Sequence, residues 1–294
     1  MSRAGDFARD VLQTGFRLFP WPTEPGLRKV GNPHDLSPVV ITANYDLTVR
    51  RVLRALHGED VWVVVAPASG INVWCAASGG HFGTSQVVTA LKTSGIAERV
   101  RHRRAVLPQL SATGVIAREV SRRSGWRVKF GPVYATDLPR YLASGEKTDD
   151  MRRVGFLLRE RLEMAATWAV PAALVLGVPT AFLRPAWAAP LLALIAALSV
   201  AVFTGYDKLP EPRKVILGGA ASLLSGAAVA LAGGGPAAGV AAVVACVALT
   251  ALLTFDYSGS TPIEGGSHFA ERAWQVRLDE EKCRGVYACW AVCP

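Results

Sequence analysis

The chain has 294 residues and a formal charge of +9, with 51% hydrophobic and 19% charged residues and a mean hydropathy of +0.27. That length holds one ordinary domain plus a second region, and the charge is spread too unevenly for one blended globule. The five cysteines (Cys75, Cys246, Cys283, Cys289 and Cys293) are sparse and crowd toward one end, which excludes a disulfide framework and fits a reducing compartment.

The first residues, MSRAGDFARDVLQTGF, have no long apolar core and include Asp6 and Asp10, so no cleaved secretory signal is read there. Residues 20–40 carry five prolines and predict an irregular, extended lead-in. Val39–Ala43 reads as a short strand and Asp46–Leu56 as a helix. Val61–Ala66 is a β-branched run ending at Pro67, the pattern of a strand buried on both faces. A turn at Ala68-Ser69-Gly70 leads to a short helix over Ile71–Ala77, a glycine break at Gly79-Gly80, and a helix over Ser85–Lys92. Strand-like pieces recur at Arg104–Leu107 and Trp126–Phe130, with a helix at Gly114–Arg122 between them. This alternation predicts an α/β head with a mostly parallel sheet over residues 1–150.

Met151–Glu163 reads as an amphipathic linker helix with four arginines. Four nearly charge-free stretches follow, at about 164–183, 185–204, 215–233 and 236–254, each close to the ~20 residues that span a hydrocarbon core. The expectation is an all-α transmembrane bundle of about four helices within 164–255, then a tail over 256–294. Arg152, Arg153, Arg159, Arg161 and Lys208, Arg213, Lys214 sit at alternate span ends, placing head and tail on the cytoplasmic side of the inner membrane. Basic residues also crowd Arg101, Arg103, Arg104, Arg118, Arg122, Arg123, Arg127 and Lys129. Beside a membrane region they read as a surface near anionic lipid, with no nucleic-acid partner.

The segment after the buried strand, Gly70-Ile-Asn-Val-Trp-Cys-Ala-Ala-Ser-Gly-Gly-His-Phe-Gly-Thr84, holds the candidate site. Taken alone, a single cysteine on a short helix is more often a packed small hydrophobe than a ligand. Its position favours the second reading, since ligand sites of open α/β sheets lie beyond the carboxyl ends of strands. Asn72 predicts an N-cap, which places Cys75 one turn into the helix, where free N–H groups stabilise negative charge. Trp74 offers an apolar surface for a large planar ligand, and Gly79, Gly80 and Gly83 let the backbone approach it closely.

Asn72-Val73-Trp74-Cys75-Ala76-Ala77 resembles the cap-helix signature of HgcA, the corrinoid protein family of microbial mercury methylation, itself similar to corrinoid subunits of the acetyl-CoA pathway. Leu107-Pro-Gln-Leu, Thr113-Gly-Val, Phe130-Gly-Pro-Val, Asp137-Leu-Pro and Met151-Arg, followed by membrane spans, resemble the family's order of landmarks. The resemblance implies a corrinoid (cobalamin-type) cofactor with Cys75 as lower ligand of cobalt. It also implies Asn72, Val73, Trp74, Ala76, Ala77, Gly79 and Gly80 around the cofactor. An anionic sulfur donor enriches cobalt in electrons and favours release of a methyl group to an electrophile such as Hg(II). Where the family continues with Gly-Lys, this chain has Ser78-Gly79, so a positive charge beside the sulfur is missing. The resemblance therefore speaks for corrinoid binding more than for mercury as acceptor.

Near the carboxyl end, Cys283-Arg-Gly-Val-Tyr-Ala-Cys-Trp-Ala-Val-Cys-Pro294 resembles a bacterial ferredoxin run with Val286 in place of one ligand. Cys283, Cys289 and Cys293 are thus an incomplete set for a 4Fe-4S cluster. A degenerate remnant, a truncated fusion and a site completed by another chain all fit. The leading reading is a membrane-anchored corrinoid methyltransferase served by a methyl-donor methyltransferase and a ferredoxin-type electron donor. The alternatives are a membrane-bound electron-transfer or assembly module and a decayed paralogue without methyl transfer. Cys246, inside an apolar span, reads as packing.

Overall fold

The computed structural model describes residues 3–209, 219, 222–225, 227 and 235–260. After helix α1 (Arg3–Gly15), a five-stranded sheet forms from β1 (Gly26–Val30), β2 (Val39–Ala43), β3 (Val61–Ala66), β4 (Arg104–Leu107) and β5 (Arg127–Phe130). The spatial order is β1-β3-β2-β4-β5; β2, β3, β4 and β5 run parallel and β1 pairs antiparallel with β3. The helices of the head are α2 (Asp46–Ala55), α3 (Val73–Ser78), α4 (Thr84–Thr93), α5 (Ile96–Arg99), α6 (Ala117–Ser124) and α7 (Leu138–Ser144).

Alternation along the strands separates two apolar layers. Val39, Ile41, Ala43, Val64, Ala66, Ala105 and Leu107 pack with residues of α3, α4, α5 and α6. Val40, Val61, Val63, Val65 and Val106 pack with residues of α2 and α7. β2 is buried at every position, as its VVITA run predicts for a strand covered on both faces. β1 corrects the expected irregular lead-in: GLRKV carries two large apolar residues, enough for a half-covered edge strand, and the flanking prolines masked it.

The junction with the apolar helices also differs from expectation. No helix runs from Met151; Asp150–Arg152 is one 3-10 turn, Met151 is buried in the head, and α8 (Leu158–Ala172) begins only after Phe156. Phe156 has φ +47°, a left-handed conformation uncommon outside glycine. Arg161 holds it there. Its Nε donates to the Phe156 carbonyl (3.0 Å) and its guanidinium lies 4.6 Å from the Phe156 ring centroid. The same guanidinium donates to both Asp207 carboxylate oxygens at 2.8 Å and to the Phe203 carbonyl at 3.1 Å. On the head side, Tyr134 Oη donates to Glu160 (3.2 Å) and accepts the Gly155 N–H (2.8 Å). Glu163 meets three arginines: Arg51 at 2.8 Å, Arg159 at 3.1 Å and Arg17 at 3.9 Å.

From Leu158 the helix continues through a wide π turn at Ala173–Gly177 and α9 (Val178–Leu183); α10 (Pro185–Gly205) packs back along it. Pro171 lacks the N–H that a regular helix needs, and the π turn follows directly behind it. Gly177 admits α10 closely, since a Cβ there would lie 2.6 Å from the Leu192 side chain. Leu158–Leu183, Pro185–Lys208 and, in the separate unit after Leu209, Gly235–Tyr257 within α11 (Gly235–Ser260) are each long and apolar enough to cross a membrane. Cys246 lies on α11 and is buried. Most of the expected span 215–233 and the whole cysteine tail, Cys283, Cys289 and Cys293 included, lie outside the described residues.

α1 lies along α2 and α8. Its Asp10 pairs with Arg50 and Arg54, Gln13 donates to Asp46 (2.8 Å), and Tyr45 Oη donates to the Gln13 carbonyl (3.2 Å). Burial pushes the Asp10 carboxyl up, but Arg54 and Arg50 outweigh it and hold it below the usual carboxylate range.

Candidate functional site

The order of the parallel strands puts β2 between β3 and β4. α2, which follows β2, lies in one layer, and α6, which follows β4, lies in the other. That reversal opens a crevice at the carboxyl ends of β2 and β4, the place where open α/β sheets bind ligands. α3 follows β3 and packs against the end of β2 and the turn Gln109–Ser111 after β4.

The local sequence forces this placement. Ser69 (φ 57°) and Gly70 (φ 67°) take successive left-handed conformations that turn the chain out of β3. A side chain at 70 would also meet the Pro22 backbone at 2.4 Å, so glycine is required twice over. Asn72 caps α3 as expected, its Oδ1 accepting the Cys75 N–H at 3.1 Å. That amide is therefore engaged, and is not one of the free donors expected around the sulfur. Val73, Ala76 and Ala77 turn into the core, whereas Trp74, Cys75 and Ser78 face outward and Gly79 and Gly80 are exposed. The expected set thus divides into an inner half that seats the helix and an outer half open to a ligand. A Cβ at Gly79 would lie 2.9 Å from the Cys75 carbonyl oxygen, so a side chain there needs a shift of the helix end.

Segments far apart in sequence converge here. Leu107-Pro-Gln-Leu forms the end of β4, and Phe130-Gly-Pro-Val the end of β5. The Gly131 N–H donates to the Leu107 carbonyl at 2.8 Å, joining the two. Gly114 touches α3 itself; a Cβ there would lie 2.7 Å from the carbonyl oxygens of Ala77 and Phe82. His81 Nδ1 lies 3.0 Å from Ser69 Oγ across the loop that carries Cys75.

Sequence reasoning passed over two residues of this edge. Asn44, directly after β2, is 5% exposed; its Oδ1 accepts from Ala68 N (2.7 Å) and Gly70 N (3.0 Å) and its Nδ2 donates to the Thr23 carbonyl (3.0 Å). A lone amide ending an otherwise apolar strand was the available signal. Each buried donor left without an acceptor costs about 1–3 kcal/mol, so Asn44→Ala is expected to destabilise the head by about 2 kcal/mol or more. A denaturant melt checks this, and an unchanged midpoint would show that the 68–70 turn holds without it. Lys147 is the second: its Nζ donates to the Phe130 carbonyl (3.0 Å) and to Gln109, and burial, then Arg152, push its pKa down.

Two well-formed cavities lie away from Cys75. One of about 250 Å³ opens at the amino ends of β2, β4 and β5, among Pro38, Arg104 and Arg127. Another of about 440 Å³ lies beside Trp62 and Gly95. Around Cys75 the residues Trp74, Ser78, Gly79 and Gly80 are all exposed, as is the cysteine itself. Among the described residues no three His, Cys, Asp or Glu side chains gather as a metal site.

Residues 9–142 match the CO dehydrogenase/acetyl-CoA synthase delta subunit family. The match runs from α1 to α7 and takes in Asn44, Cys75 and every converging loop, stopping before the candidate spans. Among curated proteins the chain is similar to the acetyl-CoA decarbonylase/synthase complex subunit gamma of Methanopyrus kandleri, 32% identical over 125 residues, which is 42% of this chain and 27% of that protein. The gamma subunits of Methanothermobacter thermautotrophicus (33% over 125 residues, 42% and 27%) and Archaeoglobus fulgidus (34% over 116 residues, 39% and 24%) match similarly. The chain spans about a quarter of the length of the curated relatives it matches. Likeness to the delta-subunit family thus covers the head and its candidate site, and leaves the apolar helices as an addition to it.

Proposed function

We propose that the chain is a membrane-anchored corrinoid protein that carries a methyl group for transfer to an acceptor. The observation that carries this reading is an exposed cysteine beside an exposed tryptophan, on a short helix over the crevice of a sheet whose sequence matches the delta-subunit family. A bound corrinoid supplies a cobalt centre able to accept and release a methyl group. Cys75 Sγ is its protein ligand. Trp74 offers an apolar ring to the macrocycle, and Gly79 and Gly80 leave backbone accessible beside it. Val73, Ala76 and Ala77 anchor the helix, so the sulfur is held at a fixed place on the head.

An open site fits a protein served by others. The relatives' names place them in a complex, and the proposed partners are a methyl-donor methyltransferase and a ferredoxin-type electron donor. The proposed acceptor is an electrophile, with Hg(II) as the first candidate to test. The head and the Arg161–Asp207 end of the first two spans are placed on the cytoplasmic side of the inner membrane, following the positive residues at that end.

The test is reconstitution. The full chain in detergent micelles is incubated with hydroxocobalamin, reduced and gel-filtered, and the absorbance of the protein peak is recorded. Near-stoichiometric retention of corrinoid is expected; a colourless protein peak would remove the proposal. Incubating the methylated complex with Hg(II) and measuring methylmercury then decides the acceptor separately.

A further inference from the structure

α1 is two-faced. Asp6, Arg9, Asp10 and Gln13 fall on one side of the helix and Phe7, Ala8, Val11 and Leu12 on the other, the arrangement of a surface-seeking amphipathic helix. The polar side faces α2: besides the Asp10 and Gln13 bonds, Arg9 pairs with Asp46 at 3.1 Å and the Asp6 backbone carbonyl accepts from Arg50 at 3.4 Å. Among the described residues the apolar side is left largely open ahead of Gly15. Phe7 is 70% exposed, Val11 55% and Leu12 48%, and the stripe runs on into Leu18 and Phe19 just past the helix.

The position of α1 along α8 identifies what covers this side. Its carboxyl end is set by Arg17 against Glu163, by Thr167 Oγ1 donating to the Thr14 carbonyl (3.3 Å), and by Gly15, whose Cβ would lie 3.1 Å from the Val170 side chain. Glu163 is the last charged residue before the long apolar run of α8. At 1.5 Å per residue, Val170 lies about 10 Å further along the axis. Interfacial helices bury their apolar faces about 5–10 Å into the boundary between headgroups and acyl chains. The carboxyl end of α1 is thus level with the first turns of a candidate span, Val11 and Leu12 lie about one helical turn from the Gly15–Val170 contact, and Arg17 stands beside Glu163.

We propose that α1, with Leu18 and Phe19, lies in the membrane interface and buries Phe7, Val11 and Leu12 in lipid, so that the head rests on the bilayer through its own amino-terminal helix as well as through the spans. This rests on the reading that α8 and α10 cross the membrane. The chemistry of the stripe fits lipid acyl chains; a second copy of the chain or another protein is the rival occupant.

The test places a photo-crosslinking phenylalanine analogue, one position at a time, at 7, 11, 175 and 122 of the full chain in phospholipid vesicles. Position 175 lies in the exposed apolar part of the first span and position 122 on α6, in the layer across the sheet from α2. After irradiation, adducts are identified by mass spectrometry. Lipid adducts at 7, 11 and 175, and none at 122, are expected. Lipid adducts at 175 with none at 7 and 11, or adducts at 7 and 11 to protein alone, would overturn the interfacial helix and leave the spans standing. Absence of lipid at 175 would overturn the spanning reading and the interfacial helix with it. Thermal melting of each labelled chain confirms that the native fold is being read.

Discussion

Cys75→Ala is expected to leave the fold intact and to abolish methyl transfer. The side chain faces outward from α3, whose packing is made by Val73, Ala76 and Ala77, so its removal opens no cavity. The helix start is also retained, because Asn72 bonds to the backbone N–H of residue 75 and not to its sulfur. The variant should therefore melt with the wild type. Loss of a residue behind a metal ligand typically costs about 10–100-fold in affinity or activity, so loss of the proposed ligand itself is expected to cost at least about 100-fold. The absorbance of a bound corrinoid would shift once the proposed sulfur donor is removed. Trp74→Ala should act differently, weakening retention of corrinoid without changing that spectrum. An identical spectrum in wild type and Cys75→Ala would show that the sulfur is not the ligand, and the functional reading would lose its main support.

Arg161→Ala is expected to be the most destabilising single change at the junction. The guanidinium is almost enclosed and makes a two-pronged contact with Asp207, a bond to each of two carbonyls, and a stack on Phe156. Removing one member of a buried pair strands the other, at a typical cost of about 3–5 kcal/mol. Here Asp207, in the turn after α10, loses its two-pronged contact, and Phe156 loses what holds its left-handed backbone. Thermal or denaturant unfolding in detergent should show the loss. The double variant Arg161→Met, Asp207→Leu should recover much of it, since an apolar pair of similar volume needs no charge compensation. A single variant that melts with the wild type would show that water reaches Asp207 and that the pair contributes little.

Most of the head was legible because its signals are local. β2, β3 and β4 occupy the predicted residues, and α2, α3, α4 and α6 lie within a few positions of their expected bounds. The four-strand parallel core followed from alternation alone. What was missed depends on partners distant in sequence. β1 has the composition of a loop and becomes a strand only because β3 offers it an edge. α1 has too little apolar content to stand out, and its reason to be helical lies in Arg50, Arg54 and Asp46, more than thirty residues away. Residues 151–163 have helical periodicity, yet Met151 is worth more in the core of the head, and the chain breaks at Gly155-Phe156 to allow it.

The candidate site was legible in part. The cysteine, its cap and its tryptophan stand in one hexapeptide and fell where expected. Part of the support beneath them did not, because Asn44 and Lys147 reach the neighbouring loops from other segments, whereas Gly114 stood in the Thr113-Gly-Val landmark. The basic patch also divides. Arg103 stacks on Trp126 at 5.4 Å, Arg101 pairs with Asp35, and the arginines of α6 sit across the sheet from α2; the arginines beside the first span are Arg17, Arg51, Arg159 and Arg161.

Glu163 has a practical consequence. Its single carboxylate satisfies guanidiniums from the segment after α1, from α2 and from α8 itself. A head excised at residue 150 would keep Arg17 and Arg51 and forfeit their common anion, together with the Val170 surface on which Gly15 rests. The α/β head is therefore not cleanly severable at residue 150. Any truncation meant to yield a water-soluble head should keep the chain through about Val170 and mask its apolar side, or supply a replacement carboxylate for the two stranded arginines.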